Sequence, residues 1–185
     1  RDDAQAEFIR SNLPDFHFFG VHRQGPGDTA LEMAPLLVRN AAFILLDSGS
    51  FWLSETPAIP GSSSWASAFP RTVCWARLSC RSTGTELMAV NTHFDYEPAA
   101  IDGDAHCLRH WLDQLLPHNP IILTGDFNTE RDSKAYQLLT AEGVLVDTYR
   151  YIHPHQSDAV TFHGSGQPMA GEAIDRSEEH TSELQ

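Results

Sequence analysis

Two segments of the sequence end apolar runs with side chains that could act on a phosphate ester. Residues 121–128 read IILTGDFN, so an apolar run leads through Gly125 into Asp126, Phe127 and Asn128. Because successive side chains of an extended chain point to opposite sides, Asp126 and Asn128 should face one cleft while Phe127 packs inward. A carboxylate can orient water near a hard cation, and an amide can donate to a phosphate oxygen. Gly, Asp and Asn also fill turns for backbone reasons, so this segment alone leaves both interpretations open.

The second segment, residues 90–95, reads VNTHFD and again ends an apolar strand with polar residues. Alternation places Asn91 and His93 on one face, although a single histidine is more often structural or merely exposed than catalytic. Three further segments combine polar and apolar residues in a similar way. They are Glu32 beside an apolar strand, FWLSETP at 51–57 with Trp65 and Pro70-Arg71 behind it, and TFHG at 161–164 followed by Ile174-Asp175.

Taken in order, these segments resemble the endonuclease/exonuclease/phosphatase superfamily, and most of all its bacterial branch. The runs that carry the resemblance are FWLSETP, W-x4-PR, NTHFD, LTGDFN, TFHG and ID, spread over residues 1–175. The resemblance implies an α+β fold, a four-layer α/β sandwich of two stacked sheets flanked by helices, with the site at one rim. It also implies a phosphomonoesterase or phosphodiesterase that uses Mg²⁺ or Mn²⁺ for in-line attack by water.

The resemblance implies a role for single positions as well. Asp126 matches the aspartate that orients or activates the attacking water, and we predict that it also binds the metal. Asn128 matches the asparagine that binds the scissile phosphate, and His93 matches a histidine at the phosphate. Glu32 looks like the acid that orients His93. Asp175 matches the aspartate that pairs with the principal catalytic histidine of the family.

Three more residues are predicted to contact the substrate. Arg71 lies where the pancreatic-type deoxyribonuclease branch has a phosphate-contacting arginine. Asn91 shares a face with His93. His163 belongs to the TFHG segment, where a contact to substrate and a purely structural role before Gly164 are equally good interpretations.

Some family elements do not occur in this sequence. They are an early asparagine, a Gln-Glu pair whose glutamate is the main metal ligand, and a final Ser-Asp-His element. Residues 176–185, RSEEHTSELQ, look like a translated sequencing adapter and hold one core-forming apolar residue, Leu184. We therefore predict a partial domain at 1–175 and a non-native tail at 176–185 that lies outside the fold. Since a general acid or base contributes about 10²–10⁴-fold, this chain is expected to be nearly inactive.

Composition narrows the choice of substrate and partner. The net charge is −13, whereas proteins that grip long nucleic acids usually carry a basic excess. A small phosphoester is therefore favoured, with a nuclease or RNA deadenylase as the alternative within the class. A non-catalytic binding protein on the same scaffold is the alternative from another class. No apolar run approaches the ~20 residues of a membrane span, and we expect a monomer.

The hydrophobic pattern predicts the elements that must position these residues in one α+β domain. Periodicity predicts helices at 4–12, 99–116 and 133–141, and strands at 16–21, 36–38, 43–46, 72–78, 87–92 and 121–123. Residues 72–92 should form a hairpin, and 56–67 a long loop. His106 and His110 lie four apart on the second helix, but without a third ligand a solvated face is the better interpretation. Trp52 and Trp65, like the three cysteines, are expected to pack.

Overall fold

The computed structural model describes residues 3–27, 32–115, 120–155, 160–161 and 173–180, and the alternation of apolar residues accounts for most of its elements. The chain order is α1 (Asp3–Asn12), β1 (Phe16–Phe19), β2 (Leu36–Arg39), β3 (Phe43–Trp52), β4 (Thr72–Cys80), β5 (Glu86–His93), α2 (Pro98–Asp113), β6 (Ile121–Asp126), α3 (Lys134–Thr140), β7 (Val146–Asp147), α4 (Thr148–Ile152) and β8 (Asp175–His180). A short 3₁₀ turn, Ala141–Gly143, follows α3.

Two sheets carry the fold. Strands β1 and β2 form an antiparallel pair, and a six-stranded mixed sheet has the order β3-β4-β5-β6-β8-β7. The predicted hairpin is present as the antiparallel pair β4 and β5. Strands β5 and β6 are parallel, as a crossover through α2 requires, so both point their carboxyl ends at the same edge of the sheet. His93 and Asp126 are register partners at that edge.

The layers stack in the order α1, two-stranded sheet, six-stranded sheet, and then α2 with α3. One apolar cluster, built around Val38 and Leu78, lies between the sheets, and a larger one lies between the six-stranded sheet and α2 and α3. Phe19 packs into the first cluster, so its neighbour Phe18 points to the opposite face, where the Arg10 guanidinium of α1 lies 4.4 Å from its ring. The predicted α+β fold class is confirmed.

Some elements differ in length from the sequence-based prediction. Strand β3 is one strand of ten residues, because a bulge between Leu45 and Asp47 shifts the alternation that the pattern relied on. Strand β6 continues through Asp126, so that residue ends the strand and does not begin the turn. Helix α4 was missed, since five residues are too few to show a helical period.

Strand β8 uses residues that the sequence analysis left outside the fold. It lies between β6 and β7, and all six of its residues pair with β6. Backbone groups make this pairing, so it needs no apolar side chains, and alternation then carries Arg176 and Glu178 into the interior. The prediction that residues 176–185 are non-native stays a prediction.

The two histidines and two tryptophans discussed in the sequence analysis lie where they were predicted. His106 and His110 are exposed on α2, as expected of a solvated helix face. Trp52 is buried and Trp65 packs directly against Gly103 of α2, as expected. Among the described residues, no helix has the length and apolar character needed to cross a membrane.

Candidate active site

Two buried phenylalanines hold the polar ends of β5 and β6 in place. Phe94 and Phe127 follow His93 and Asp126 in the sequence, are fully buried, and meet edge to face with their ring centroids 5.1 Å apart. With Phe127 turned inward, Asp126 and Asn128 remain partly exposed on the other side, which confirms the predicted placement of these three side chains.

His93 is held from both sides of its ring. Its Nδ1 lies 2.7 Å from Oε1 of Glu32, and the Nδ2 of Asn128 lies 3.2 Å from its Nε2. These contacts fit a tautomer in which Nδ1–H donates to Glu32 and Nε2 accepts from Asn128. Oδ2 of Asp126 lies 3.5 Å from the same Nε2. Three side chains from two distant parts of the chain therefore meet around the imidazole of His93.

Glu32 is held in its charged form. The hydrogen bond with His93, together with the charges of His93, Arg23 and Arg71, lowers the pKa of Glu32 to about 2 against the opposing effect of burial. Nη1 of Arg23 lies 3.4 Å from the second carboxylate oxygen of Glu32. A permanently charged Glu32 fixes the proton of His93 on Nδ1 and turns Nε2 toward the open side of the site.

The turn after β6 is stabilised by the same residues, Asp126 and Asn128, that it positions at the site. Asn128 has a φ of +47°, a left-handed conformation that Asn tolerates, and its N–H donates to Oδ1 of Asp126 at 3.0 Å. Its Nδ2 also donates to the carbonyl oxygen of Phe94 at 2.9 Å. The turn interpretation of the GDFN segment is therefore confirmed, and the same turn positions the carboxylate and the amide, whose role at a phosphate ester stays a prediction.

Gly125 allows β5 and β6 to approach closely at this edge, and Gly125→Ala is expected to disrupt it. A Cβ at this position would lie 2.5 Å from the carbonyl oxygen of Thr92, which as main chain cannot move aside. The free energy of unfolding, measured with urea, should fall by about 3 kcal/mol, as for overpacked cores. Gly84→Ala adds the same methyl group into open space at a positive φ and should lower it by only about 1 kcal/mol. Equal losses in the two variants would contradict the close approach.

Arg71 is buried beside the site. Its side chain is 4% exposed, and its Nε donates to Oδ2 of Asp95 at 3.2 Å. It lines a small cavity together with Glu32 and His93, which brings its charge close to the imidazole. The structure thus places the predicted phosphate contact behind His93 and in an ion pair. Its role in substrate binding stays a prediction.

Asp95 organises the residues around Arg71, and sequence reasoning missed it. Burial raises the pKa of Asp95, but hydrogen bonds from the N–H groups of Glu97 and Phe69 and from the side chains of Ser67 and Arg71 outweigh this and bring it to about 2. This last residue of the NTHFD run is therefore a charged anchor in the interior.

Asp104 of α2 completes this buried network. Its Oδ2 accepts the N–H of Asp95 at 2.9 Å, and burial, together with the nearby charge of Asp95, raises its pKa to about 7. Asp104 lies next to the apolar stripe that includes Ala105 and Leu108. An acidic residue at the edge of such a stripe was the available sequence clue.

The remaining predicted residues differ in how they are placed. Asn91 lies on the cleft, but its amide donates to the carbonyl of Pro35 at 3.1 Å and accepts from Thr124 at 2.9 Å. Asp175 is the register partner of Asp126 across β6 and β8, and it lines the same cleft. His163 lies outside the described residues.

The site opens into a cleft of about 770 Å³. His93, Asp126 and Asp175 line one part of it, and helix α4 lines another. Asp147, which caps α4 by accepting the N–H of Arg150, is bound to Nε of Arg131 at 2.6 Å in the wall of the cleft. This buried ion pair was not foreseen, although an Asp directly before a helix is a common capping residue.

Solved structures share this fold. An endonuclease/exonuclease/phosphatase from Bacteroides vulgatus is 33% identical with a TM-score of 0.84, and the match covers 95% of this chain and 69% of that one. The chain belongs to the endonuclease/exonuclease/phosphatase family. No family model and no curated protein matches the sequence.

Two further members of the endonuclease/exonuclease/phosphatase family match with similar quality, and both are from Bacteroides thetaiotaomicron. A protein known by the family name is 29% identical with a TM-score of 0.85, covering 97% of this chain and 66% of that one. A mannosyl-6-phosphatase is 27% identical with a TM-score of 0.83, covering 97% and 68%. The chain therefore spans about two thirds of the length of these relatives.

The endonuclease/exonuclease/phosphatase family implies a divalent cation, and the cleft offers limited ligands for one. Within the described part of the chain, no three His, Cys, Asp or Glu side chains come together as a metal site. Asp126 and Asp175 are adjacent carboxylates on the cleft. Because Mg²⁺ often rests on one or two carboxylates, completed by water and phosphate oxygens, these two residues fit such an ion.

Proposed function

We propose that this domain is a magnesium- or manganese-dependent phosphomonoesterase that acts on a small phosphate ester. The supporting observation is that Glu32, Asn128 and Asp126 surround the imidazole of His93, and that His93, Asp126 and its register partner Asp175 line one cleft. These groups come from four separate parts of the chain: strand pairing aligns His93, Asp126 and Asp175, and side-chain contacts add Glu32 and Asn128. Membership of a family of phosphoester hydrolases supports the same conclusion.

Each side chain has a role in this proposal. Asp126 orients the attacking water, and the N–H that Nδ2 of Asn128 directs at His93 is released to a phosphate oxygen when Nε2 of His93 is protonated. Nε2 of His93, once protonated, donates to a second oxygen while Glu32 balances the imidazolium charge. When bound, the cation would be held by Asp126 and Asp175 and would offset the negative charge that develops at phosphorus.

Charge supports a small substrate and, with it, a monomeric phosphatase. The chain carries a net charge of −13, and the arginines that line the described part of the cleft, Arg131 and Arg176, are buried beside Asp147 and Glu178. A polynucleotide needs several exposed cations to neutralise its phosphates. A single phosphate fits this cleft better, and the mannosyl-6-phosphatase among the structural relatives supports a monoester.

We also infer that the 185-residue chain hydrolyses esters slowly. The described residues supply two carboxylates for the cation, and the sequence has no match for the metal-ligand glutamate or the final histidine of the family. The domain extended at both ends to the length of its relatives should be faster by about 10²–10⁴-fold. Equal rates for the two proteins would contradict this inference.

A panel of phosphate esters, tested with and without EDTA, checks the proposal. With Mg²⁺ the extended domain should release phosphate from sugar phosphates, and EDTA should abolish the release, because the cation supplies much of the charge stabilisation. Added Mn²⁺ or Mg²⁺ should restore it. Hydrolysis that EDTA leaves unchanged would overturn the metal dependence. Salt-sensitive cleavage of single-stranded RNA, in place of monoester hydrolysis, would favour the nuclease alternative.

A further inference from the structure

The cleft is much larger than the phosphate group that its catalytic part would bind. Its volume of about 770 Å³ falls within the range of about 300–1,000 Å³ that holds whole organic ligands. His93 and Asp126 line only one part of the cleft. The rest must accommodate the organic part of the ester, and the side chains that line it can indicate what that part is.

Helix α4 and the residue that follows it supply an aromatic and apolar surface to this second part. Tyr149 and His153 both line the cleft, and their ring centroids lie 4.9 Å apart at an interplanar angle of 47°. Ile152 lines it as well and is 67% exposed. We call these three residues the α4 shelf. Exposed apolar surface in a cleft is unfavourable in water and is characteristic of a ligand-binding wall.

The α4 shelf is fixed in position before any ligand arrives. Asp147 caps α4 and is itself bound to Arg131 at 2.6 Å. The hydroxyl of Thr148 donates to the carbonyl oxygen of Ser177 at 2.9 Å, which ties the first turn of α4 to β8. A surface held in this way loses little conformational entropy when it binds a ligand.

The chemistry of the α4 shelf selects one class of ligand. The phenol and imidazole rings, tilted by 47° to each other, present apolar ring faces with polar atoms at their edges, which suits a ring that is apolar on its faces and polar around its rim. The cleft-lining arginines are buried against carboxylates, so the described wall offers no exposed cation for a second phosphate. The organic group should therefore be a neutral, hydroxylated ring.

We propose that the α4 shelf binds the sugar ring of a phosphorylated sugar whose phosphate lies at His93 and Asp126. This inference rests on the proposed function, because it assumes that the phosphate occupies the catalytic part of the cleft. Tyr149 is the main contact with the ring, and it determines specificity without taking part in the chemistry.

Ligand titration followed by NMR tests the α4 shelf with three probes in the presence of Mg²⁺. They are inorganic phosphate, glucose 6-phosphate, and sorbitol 6-phosphate, which has the same number of carbons but no ring. Glucose 6-phosphate should bind the chain about three to ten times more tightly than sorbitol 6-phosphate, as a ring contact of this kind contributes. Tyr149→Ala should remove this difference and leave the affinity for inorganic phosphate unchanged within about twofold.

A neighbouring residue provides the matched control. Tyr151 lies on the same helix, is 61% exposed, and does not line the cleft, so Tyr151→Ala should keep the preference for the ring. Tyr149→Leu keeps apolar volume on α4 without an aromatic face. If Tyr149→Ala lowers the melting temperature, Tyr149→Leu takes its place in the test. A folded Tyr149→Leu protein that no longer prefers the ring supports the proposal, and one that still prefers the ring overturns it.

The outcomes separate the α4 shelf from the proposed function. Equal affinities for glucose 6-phosphate and sorbitol 6-phosphate, or an unchanged preference in folded Tyr149→Ala, would overturn the proposal for the α4 shelf and leave the proposed function standing. If inorganic phosphate fails to bind, or binds without shifting the resonances of His93, the phosphate site itself is wrong and the proposed function fails first.

Discussion

Replacing Asp126 with asparagine in the extended domain is expected to lower kcat/KM for phosphate esters by about 10²–10⁴-fold. Asparagine keeps an oxygen that can accept the N–H of Asn128, so the turn after β6 should persist. It cannot carry the negative charge that orients water and attracts a cation. The measurement is steady-state hydrolysis of a synthetic aryl phosphate with Mg²⁺ in excess.

Asp132→Asn is the matched control for this loss. Asp132 lies six residues further along the chain, is exposed, and does not line the cleft. Its substitution removes the same charge from the same region and should leave kcat/KM unchanged. An Asp126→Asn variant with wild-type activity, or an equal loss in both variants, would refute the role proposed for Asp126.

The second large effect concerns stability. Replacing both Arg176 with methionine and Glu178 with valine is expected to raise the free energy of unfolding by about 1–4 kcal/mol, as for other buried ion pairs exchanged for apolar residues. Glu178 is fully buried, and neither of its carboxylate oxygens has a hydrogen-bond partner among the described residues. Nε of Arg176 lies 3.5 Å away, too far to satisfy it well.

Urea unfolding at constant pH measures this gain, and Glu178→Val alone provides the contrast. With only the carboxylate removed, Arg176 stays buried with its charge unbalanced, so the single variant should be less stable than the double variant. The double variant would contradict the expectation if it unfolded at a lower urea concentration than the wild-type chain.

The burial of Glu178 also predicts how the free energy of unfolding changes with pH. Burial raises the pKa of Glu178 from 4.5 to about 7, so the folded protein holds this proton more tightly than the unfolded chain does. The protonated side chain therefore contributes roughly 3 kcal/mol to the free energy of unfolding. This contribution is fully present below pH 4.5 and is lost as the pH rises through 7. Asp104 acts in the same direction, since its pKa is also raised to about 7.

Urea unfolding at pH 5 and pH 8 should therefore show a less stable protein at pH 8. Glu178→Gln should weaken this pH dependence and leave the part that comes from Asp104. Glu179 lies on the other face of β8, so Glu179→Gln should leave the whole pH dependence unchanged. The opposing carboxylates, Glu32 and Asp95, have pKa values near 2 and lose their stabilisation only at lower pH. Stability that increases from pH 5 to pH 8 would contradict the burial of Glu178.

Local patterns predicted much of the framework of the site. The two apolar runs that end in NTHFD and GDFN were recognisable as strands, and alternation alone placed Phe127 inward with Asp126 and Asn128 outward. Their meeting at one edge depends on the parallel pairing of β5 and β6, which local periodicity does not show. The contact of Glu32 with His93, 61 residues apart, was reachable only through the family resemblance.

The buried polar network was beyond sequence reasoning for a physical reason. Periodicity shows which face of an element is apolar, but it does not show which donor a buried carboxylate will meet. Arg71 was assigned to substrate through the family resemblance, a role that stays a prediction, and periodicity did not reveal the ion pair that it forms with Asp95, whose N–H donates to Asp104. Strand β8 was missed for the opposite reason, because backbone pairing incorporated a polar segment that the pattern had excluded.

The direction of β8 has a practical consequence for attaching the protein to a solid support. Because β8 is antiparallel to β6, it begins at the cleft with Asp175 and runs away from it, so that His180 pairs with Ile121 at the far edge of the sheet. A tether joined after β8 would leave the molecule on the side opposite the catalytic residues. Immobilisation through this end should keep the cleft open to ligands in flow.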